Sequence, residues 1–592
     1  MSTRRARFIL FCKTLLTKLV SSLQRFPETL LFCCATAIVL IMLNHRYADA
    51  AGEPGEFLIR LALVLALGIP LTLCLRVFRE RTPLKAPLIV LLYAAAAGGL
   101  VLYHFFLLKD FEMISLSRYT AVSLALYLAF TFIPYFYRKE NYELYMIGLF
   151  ISLAITYLFA GVLYGGLAAI LGTINYLFSA NIPVDIYSDI WFIVGGIFAP
   201  AFFLAEIPAS GTELEPESYP RLINILLSYI VIPLLLIYCA ILYLYFIRIV
   251  VLQQWPELMV SHLVLWYALV STLVLFCVYP LRQSNRWTKG FLSFYPKVIL
   301  PLLGLMFVAM GIRINHYGIT ENRYFVLAAG LWVTGSMIYL TASRKPRHIY
   351  LPASLALVAL LSVSGPWSAY AVSIRSQNRH FETIAAEYKL IEDGEIVKPA
   401  APLPETVREE ISSIITYFDR YHKLEQLHAL PEGFTIEGME PLFGFPLYEY
   451  TYPGREDLYF HHFLTAEEAC CWDISGYDYF LQFSSTESRF QHGALEISYD
   501  PGKDELAIAL QGQPLYNENV GAIAARLHED AGESGKDLLS KEEMTFVRQS
   551  GPLELLYIFR TIGGWEEKAT AEVHIDYLEF SLFIALEGAL SP

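Results

Sequence analysis

YIVIPLLLIYCAILYLYFIRI, residues 229–249, decides the fold: it runs from Tyr229 to Ile247 before its first charge, Arg248. A helix rises about 1.5 Å per residue, so roughly 20 residues cross a hydrocarbon layer about 30 Å thick. Only a helix can satisfy its own backbone polar groups there. Comparable apolar stretches recur on both sides, near 27–43, 57–75, 87–107, 116–137, 145–166, 186–207, 222–247, 259–280, 291–311, 324–342 and 350–371. The first two-thirds of the chain therefore reads as a polytopic α-helical membrane bundle of about 11 transmembrane helices, embedded in a lipid bilayer.

The overall composition, 56% hydrophobic and 17% charged with a mean hydropathy of +0.46, averages two unlike parts. Up to Ser373 there are 27 Lys+Arg and 17 Asp+Glu; beyond it there are 16 and 39, giving charges near +10 and −23 within the net −13. Three segments follow: a basic amphipathic cytoplasmic N-terminus (1–26), a multispan domain (27–373) and an acidic soluble domain (374–592). The acidic part would repel phosphate-rich partners, which argues against nucleic acid.

Orientation follows from the basic residues, which concentrate in cytoplasmic loops. With the N-terminus inside, the loops after even-numbered spans hold Arg76, Arg79, Arg81 and Lys85, then Arg138 and Lys139, then Arg282, Arg286 and Lys289, then Arg344, Lys345 and Arg347. An odd number of crossings places the C-terminal domain on the extracytoplasmic side of a cell inner membrane. The region 145–178 is too long for one untilted span and is expected to be one crossing followed by an interfacial or re-entrant piece. Gly161 and Gly165 form a GxxxG pair there, which allows close helix contact.

Beyond 374 the pattern changes. Val407, Ile411, Ile414, Ile415, Phe418 and Leu424 recur at helical spacing, predicting an amphipathic helix over about 405–428. FPLYEYTY, DLYFHHFL, YDYFLQFS, LEISYD, ELAIALQG, LELLYIFR and AEVHIDYLEFSLFIAL read as strands, with Pro453-Gly454 and Pro501-Gly502 as turn signals. An extracytoplasmic α+β domain is the expectation.

Ionisable groups at membrane depth are functional candidates because their burial is costly. His104, Asp110, Arg118, Asp185, Asp189, Arg248, His262, Arg313, His316, Glu321 and Arg323 all fall toward the non-cytoplasmic ends of their spans, suggesting an outward-facing polar vestibule. Helix-end charges that snorkel and pair with one another are the plainer account. The densest polar segment is GIRINHYGITENRY (311–324), where paired arginines suit an anionic lipid or a small anion. The ligand-binding candidates are Arg313, His316, Glu321, Arg323, Asp189, His104 and Arg118. Cys470 and Cys471 are adjacent, so they close no loop by disulfide pairing, and no CxxC or His/Cys zinc spacing occurs. No catalytic residue, metal or cofactor is expected.

Three segments carry a resemblance: YIVIPLLLIYCAILYLYFIRI (229–249), VAMGIRINHYGITENRYFVLAAGLW (308–332) and SGPWSAYAVSIRSQNRHFETI (364–384). Together, in this order, they resemble the bacterial integral-membrane family known as domain of unknown function 4153. The resemblance implies a polytopic envelope protein with a soluble C-terminal portion, and no activity or site residues. Membrane transport or ligand binding at the vestibule is the favoured expectation. A non-enzymatic envelope sensor or assembly scaffold, with an envelope protein bound to the acidic domain, is the alternative. A lipid-linked transferase comes third, since the first outer loop is short and no nucleophile, base and oxyanion set can be assembled.

Overall fold

The computed structural model describes residues 17–45, 53–82, 84–108, 113–136, 141–178, 180, 182–208, 219–252, 259–283, 285–392, 395–399, 402–431, 433–447, 457–464, 474–484, 488–532, 538–567 and 572–586. Arg4, Arg5, Arg7, Lys13, Asp110, Arg138, Lys139, Pro453-Gly454, Cys470 and Cys471 lie outside them. The chain divides into two compact units, Met1–Pro446 and Leu447–Pro592. The contacts thus divide well beyond the change of composition near 374.

Among the described residues ten helices are long and apolar enough to cross a membrane: α1 (Pro27–His45), α2 (Gly55–Arg81), α3 (Ala86–Leu107), α4 (Met113–Tyr135), α5 (Tyr142–Phe178), α6 (Asp185–Glu206), α7 (Arg221–Leu252), α8 (Ser261–Gln283), α9 (Arg286–Tyr317) and α10 (Glu321–Ala342). The eleventh expected span is the shorter apolar helix α11 (Tyr350–Val363). It stops before the expected 371 because Gly365 takes φ +76 and Pro366 follows, so the helix cannot continue. A new helix, α12 (Ala369–Glu387), starts at the N-cap Ser368, whose side chain accepts from the Ala371 N–H.

α11, at 14 residues, is shorter than its 23-residue neighbour α4 and spans it only together with the residues that follow. Leu351 at its start packs with Tyr135, Tyr142, Tyr145 and Phe276. Beyond its other end, the Tyr370 hydroxyl meets Ser117 and lies 3.4 Å from the Ile114 carbonyl at the start of α4.

Two expectations for 145–178 are corrected. The region lies within one unbroken helix of 37 residues, about 55 Å long, so no separate interfacial or re-entrant piece exists. Gly161 and Gly165 are exposed, and a Cβ on either would meet nothing within 4 Å. The GxxxG pair therefore packs against no helix among the described residues.

The bundle's main core is centred on α9, whose Tyr295, Ile299, Leu302, Leu303 and Met306 are buried against α7, α8 and α10. Large apolar side chains cover the outside, among them Phe106, Val162 and Leu244, as a surface solvated by lipid tails requires. Among the described residues three helices contain π-helical segments, Tyr103–Leu107, Val194–Phe198 and Leu226–Val231.

Within the same unit, the expected amphipathic helix is α13 (Glu405–Tyr421), with Val407, Ile411, Ile414, Ile415 and Phe418 buried; it ends short of the expected 428, and Leu424 lies in a separate 3-10 turn, Leu424–Gln426. A short antiparallel pair, β1 (Ile391–Glu392) and β2 (Glu395–Ile396), precedes it.

The second unit is built on two sheets. One contains β3 (Asp457–Leu464), β4 (Tyr479–Phe483), β9 (Leu538–Leu539), β10 (Thr545–Ser550), β11 (Leu553–Glu567) and β12 (Glu572–Leu586), in the order β4-β12-β11-β3-β9 with β10 also on β11. The other is the meander β5 (Ser488–His492), β6 (Leu495–Asp500), β7 (Glu505–Leu510) and β8 (Gln513–Asn519). Strict alternation on β6 buries Leu495, Ile497 and Tyr499, the period-2 signature of a half-covered strand. One core joins these residues to Leu555, Tyr557, Phe559, Phe580 and Leu582 and to Val520 and Ile523 of α14 (Val520–Gly532). Six of the seven expected strands are present; FPLYEYTY begins with the non-strand residues 445–447, and the rest lies outside the described residues.

Candidate functional site

The segment 311–324 forms a tight turn between α9 and α10 that α12 and α13 hold in place. At Gly318 the backbone takes φ +68, ψ −177, a region open essentially to glycine alone. A Cβ there would stand 2.9 Å from Gln377 Nε2 and 3.3 Å from Ser376 Oγ. Both side chains belong to the clamp. Gln377 Nε2 donates to the carbonyls of Tyr317 (3.0 Å) and Ile319 (3.2 Å), and the Ile319 N–H donates to Ser376 Oγ at 2.8 Å. Gln377 is itself buried, so the turn's carbonyls satisfy an amide that water does not reach.

Glu321 and Arg323 have separate roles in this turn. Arg323 Nη1 donates to the carbonyls of Tyr317 (3.0 Å) and Gly318 (2.6 Å), fastening the end of α9 from the start of α10. Glu321, at the first position of α10, faces α13. Its Oε1 accepts from the Tyr417 hydroxyl at 2.7 Å and lies 2.9 Å from His422 Nε2, which is also 2.9 Å from the Tyr417 oxygen. The His422 side chain is 1% exposed, against 20% for Glu321, and His422 Nδ1 is buried with no hydrogen-bond partner among the described residues. Burial, and then the Glu321 carboxylate, push the Tyr417 phenol up from its ordinary value, keeping it a donor. A carboxylate at a helix N-terminus also meets the positive end of the helix dipole.

Further bonds tie the clamp to α10 and join its own two arms. Tyr324 donates to the Trp367 carbonyl at 2.6 Å, Asn378 Nδ2 to the Gln426 carbonyl at 2.9 Å, and the His428 N–H to Asn378 Oδ1 at 2.9 Å.

The other candidates are distributed. The Arg118 guanidinium lies 5.3 Å from the centre of the Tyr370 ring, and the Tyr370 hydroxyl sits in the fields of both Arg118 and Glu321. Asp189 is engaged elsewhere, by His45 Nε2 at 2.6 Å and Asn44 Nδ2 at 3.0 Å from α1. His104 packs edge-on against Phe57 and Phe105. His316 is exposed beside Tyr317 and Arg313 is half-buried. The structure thus gathers Glu321, Arg323 and Arg118 around α12 and α13, and assigns Asp189 to an α1–α6 contact. No group of three or more His, Cys, Asp or Glu able to hold a metal occurs among the described residues.

A second titratable cluster lies in the sheet unit. His462 Nε2 on β3 faces His528 Nδ1 on α14 at 2.8 Å, Glu566 Oε2 stands 3.8 Å from His528 Nε2, and the Phe460 ring stacks on His528 with centroids 3.4 Å apart. Burial first, and then His462, hold His528 below the ordinary imidazole value, against the opposing pull of Glu566 and Glu529.

The partners Ser376, Gln377, Tyr417 and His422 were not singled out from sequence. Their only local signal is polarity on otherwise apolar helix faces, and the groups they bind lie 57 to 101 residues away.

A family model covers residues 32–390. It takes in the α9–α10 turn, Ser376 and Gln377, and ends before Tyr417 and His422. Among curated proteins, the uncharacterized protein PM1469 of Pasteurella multocida (strain Pm70) is 22% identical over 302 residues, 50% of this chain and 51% of that protein. The chain spans about half the length of this relative. No solved structure matches. With more than half of its length matched, and the turn with its α12 clamp inside the match, the chain belongs to the family described as Domain of unknown function (DUF4153).

Proposed function

We propose that this is a non-enzymatic, multi-pass inner-membrane protein that binds a ligand on the non-cytoplasmic side and relays that event to its spans. The clamp carries this: two helices outside the ten spans hold a turn between two spans through directed bonds to backbone carbonyls and to one carboxylate, Glu321. A small displacement of α12 and α13 breaks several of these bonds together, and such packed, bonded contacts switch between discrete arrangements. The N-terminus is cytoplasmic and the sheet domain lies across the membrane. Support for that threading comes from the stretch that α11 opens: Leu351 at its start packs with Tyr135 at one end of α4, and Tyr370 of α12, beyond its other end, meets Ser117 at the other, so the 14 residues of α11 with the turn that follows suit an eleventh crossing.

Glu321→Gln tests the relay, because it removes the charge and keeps the size. Hydrogen exchange in the full-length, detergent-solubilised protein should rise in both 311–324 and 369–421. A rise confined to 417–422 would end the proposal.

Transport has one specific observation in its favour, the π-helical segments in α3, α6 and α7, a feature frequent at functional sites. A proteoliposome flux that falls with Asp189→Asn would prefer it over the relay.

A further inference from the structure

At the end of the bundle opposite the clamp, positive charge exceeds negative among the described residues. Arg25 engages Glu80 through two hydrogen bonds, Nε to Oε1 at 3.0 Å and Nη2 to Oε2 at 2.9 Å, and donates to the carbonyls of Ile207 (2.6 Å) and Pro208 (3.1 Å). That forked pair neutralises Glu80. Arg76 forms an i,i+4 ion pair with the same carboxylate, Nε to Oε1 at 3.6 Å, and Arg81 lies in its field. Among the described carboxylates, Glu206 pairs with Lys18, and Glu143 with His348 at 2.6 Å.

The same place holds an unusual set of orphaned atoms. Arg76 Nε, Arg81 Nε, Thr82 Oγ1 and Tyr145 Oη are buried with no hydrogen-bond partner among the described residues. Tyr145 is 3% exposed, and its hydroxyl lies in the fields of Arg25, Arg81 and Glu80. Buried polar atoms almost always have partners, so orphaned donors beside three guanidiniums, Arg25, Arg76 and Arg81, that share the one carboxylate of Glu80 describe a site for an acceptor-rich anion. Snorkelling alone accounts for arginines at a helix end, but it does not account for a tyrosine hydroxyl buried among them.

We propose that Arg76, Arg81, Thr82 and Tyr145 bind a phosphate group at the arginine-bearing end of α2. Guanidiniums and hydroxyl donors match its oxygens, and the end of a span lies at the depth of lipid headgroups. The phosphate belongs to an anionic phospholipid or is free phosphate.

Native mass spectrometry of the delipidated, full-length protein distinguishes these sources. It is titrated with phosphatidylglycerol, with phosphatidylcholine, and with inorganic phosphate. Phosphatidylglycerol should bind in preference to phosphatidylcholine, and Arg76→Gln with Arg81→Gln should weaken it about tenfold or more. Inorganic phosphate that binds equally well and displaces the lipid identifies the free ion as the ligand. Tyr145→Phe, which removes one donor without changing charge, should weaken binding by a smaller factor at unchanged Tm. The proposal is overturned if a double variant with wild-type Tm and elution binds phosphatidylglycerol as the wild type does, or if neither phosphatidylglycerol nor phosphate binds the wild type. Should the double variant fail to fold, Tyr145→Phe decides alone: undiminished binding overturns the site.

Discussion

The helical bundle and the sheet domain bury hydroxyl groups in opposite ways. In the bundle, Tyr267 and Tyr295 meet at 2.5 Å, Ser271 Oγ lies 3.0 Å from the Tyr295 oxygen, and Tyr267 donates to the Leu235 carbonyl at 2.9 Å. The chain of bonds ends on backbone, inside. In the sheet domain, Tyr557 donates to Tyr516 at 3.1 Å and Tyr516 to Glu518, which pairs with Arg548 at 3.1 Å; Arg548 is 48% exposed. That chain of bonds ends in water. Their apolar side chains differ in parallel, with Phe106 and Val162 outermost in the bundle and Leu555 and Phe559 innermost in the sheet domain. A polar group in hydrocarbon must find its whole set of partners within the protein, whereas one in a water-soluble core can pass its polarity to the surface.

Matched leucine truncations put the strongest pressure on this contrast. Leu555 and Leu303 are both fully buried. Leu555→Ala should cost the sheet domain about 2–5 kcal/mol, because it loses both a transfer term and packing. Leu303→Ala should cost the bundle less, since lipid tails are as apolar as leucine and only packing is lost. Thermal melts of the full-length protein, read by protease cleavage within each unit, measure both. Equal losses would mean that the bundle core is stabilised as a water-soluble core is.

A smaller effect should separate the two by pH. His528 sits below its ordinary value in the folded sheet domain, while an unfolded imidazole titrates near 6.5. As pH falls through that range, the unfolded chain binds the proton more readily, so stability present above about pH 6.5 is lost toward the lower folded value. Cleavage within the sheet domain should begin at lower temperature at pH 5 than at pH 7, and His528→Asn should flatten the difference. An unchanged slope would remove His528 as the titrating group.

Local sequence pattern recovers an element when one solvent acts along its whole length. Ten spans satisfy length and hydropathy outright, and β6 alternates apolar and polar residues as half-covered strands do. β5, β8 and β10 carry no apolar alternation to read: SRFQH and QPLYNEN are mostly exposed, and TFVRQS has no buried position. The end of α11 was overrun because apolar residues continue past Gly365-Pro366 while the backbone does not. Glu321 and Arg323 stood out as charges between two apolar runs. Their environment did not, since Tyr417 and His422 reach Glu321 across 96 and 101 residues, and periodicity carries no information at that separation.

Removing a single hydroxyl gives the finest version of the contrast. Tyr557→Phe leaves the Tyr516 to Glu518 bond in place and deletes one donor from a network that continues to the surface, which should cost about 1 kcal/mol. Tyr295→Phe leaves Tyr267 donating to the Leu235 carbonyl but strips Ser271 of its tyrosine partner. A naive dielectric argument makes the second change the more damaging, because Ser271 is fully buried. The membrane-embedded unfolded state, however, also lets polar groups find partners, which reduces the net worth of such bonds to about 0.6 kcal/mol. Tyr295→Phe should therefore shift the bundle's melting less than Tyr557→Phe shifts that of the sheet domain. The reverse order would mean that the bundle's hydroxyls have no alternative partners once their helices separate.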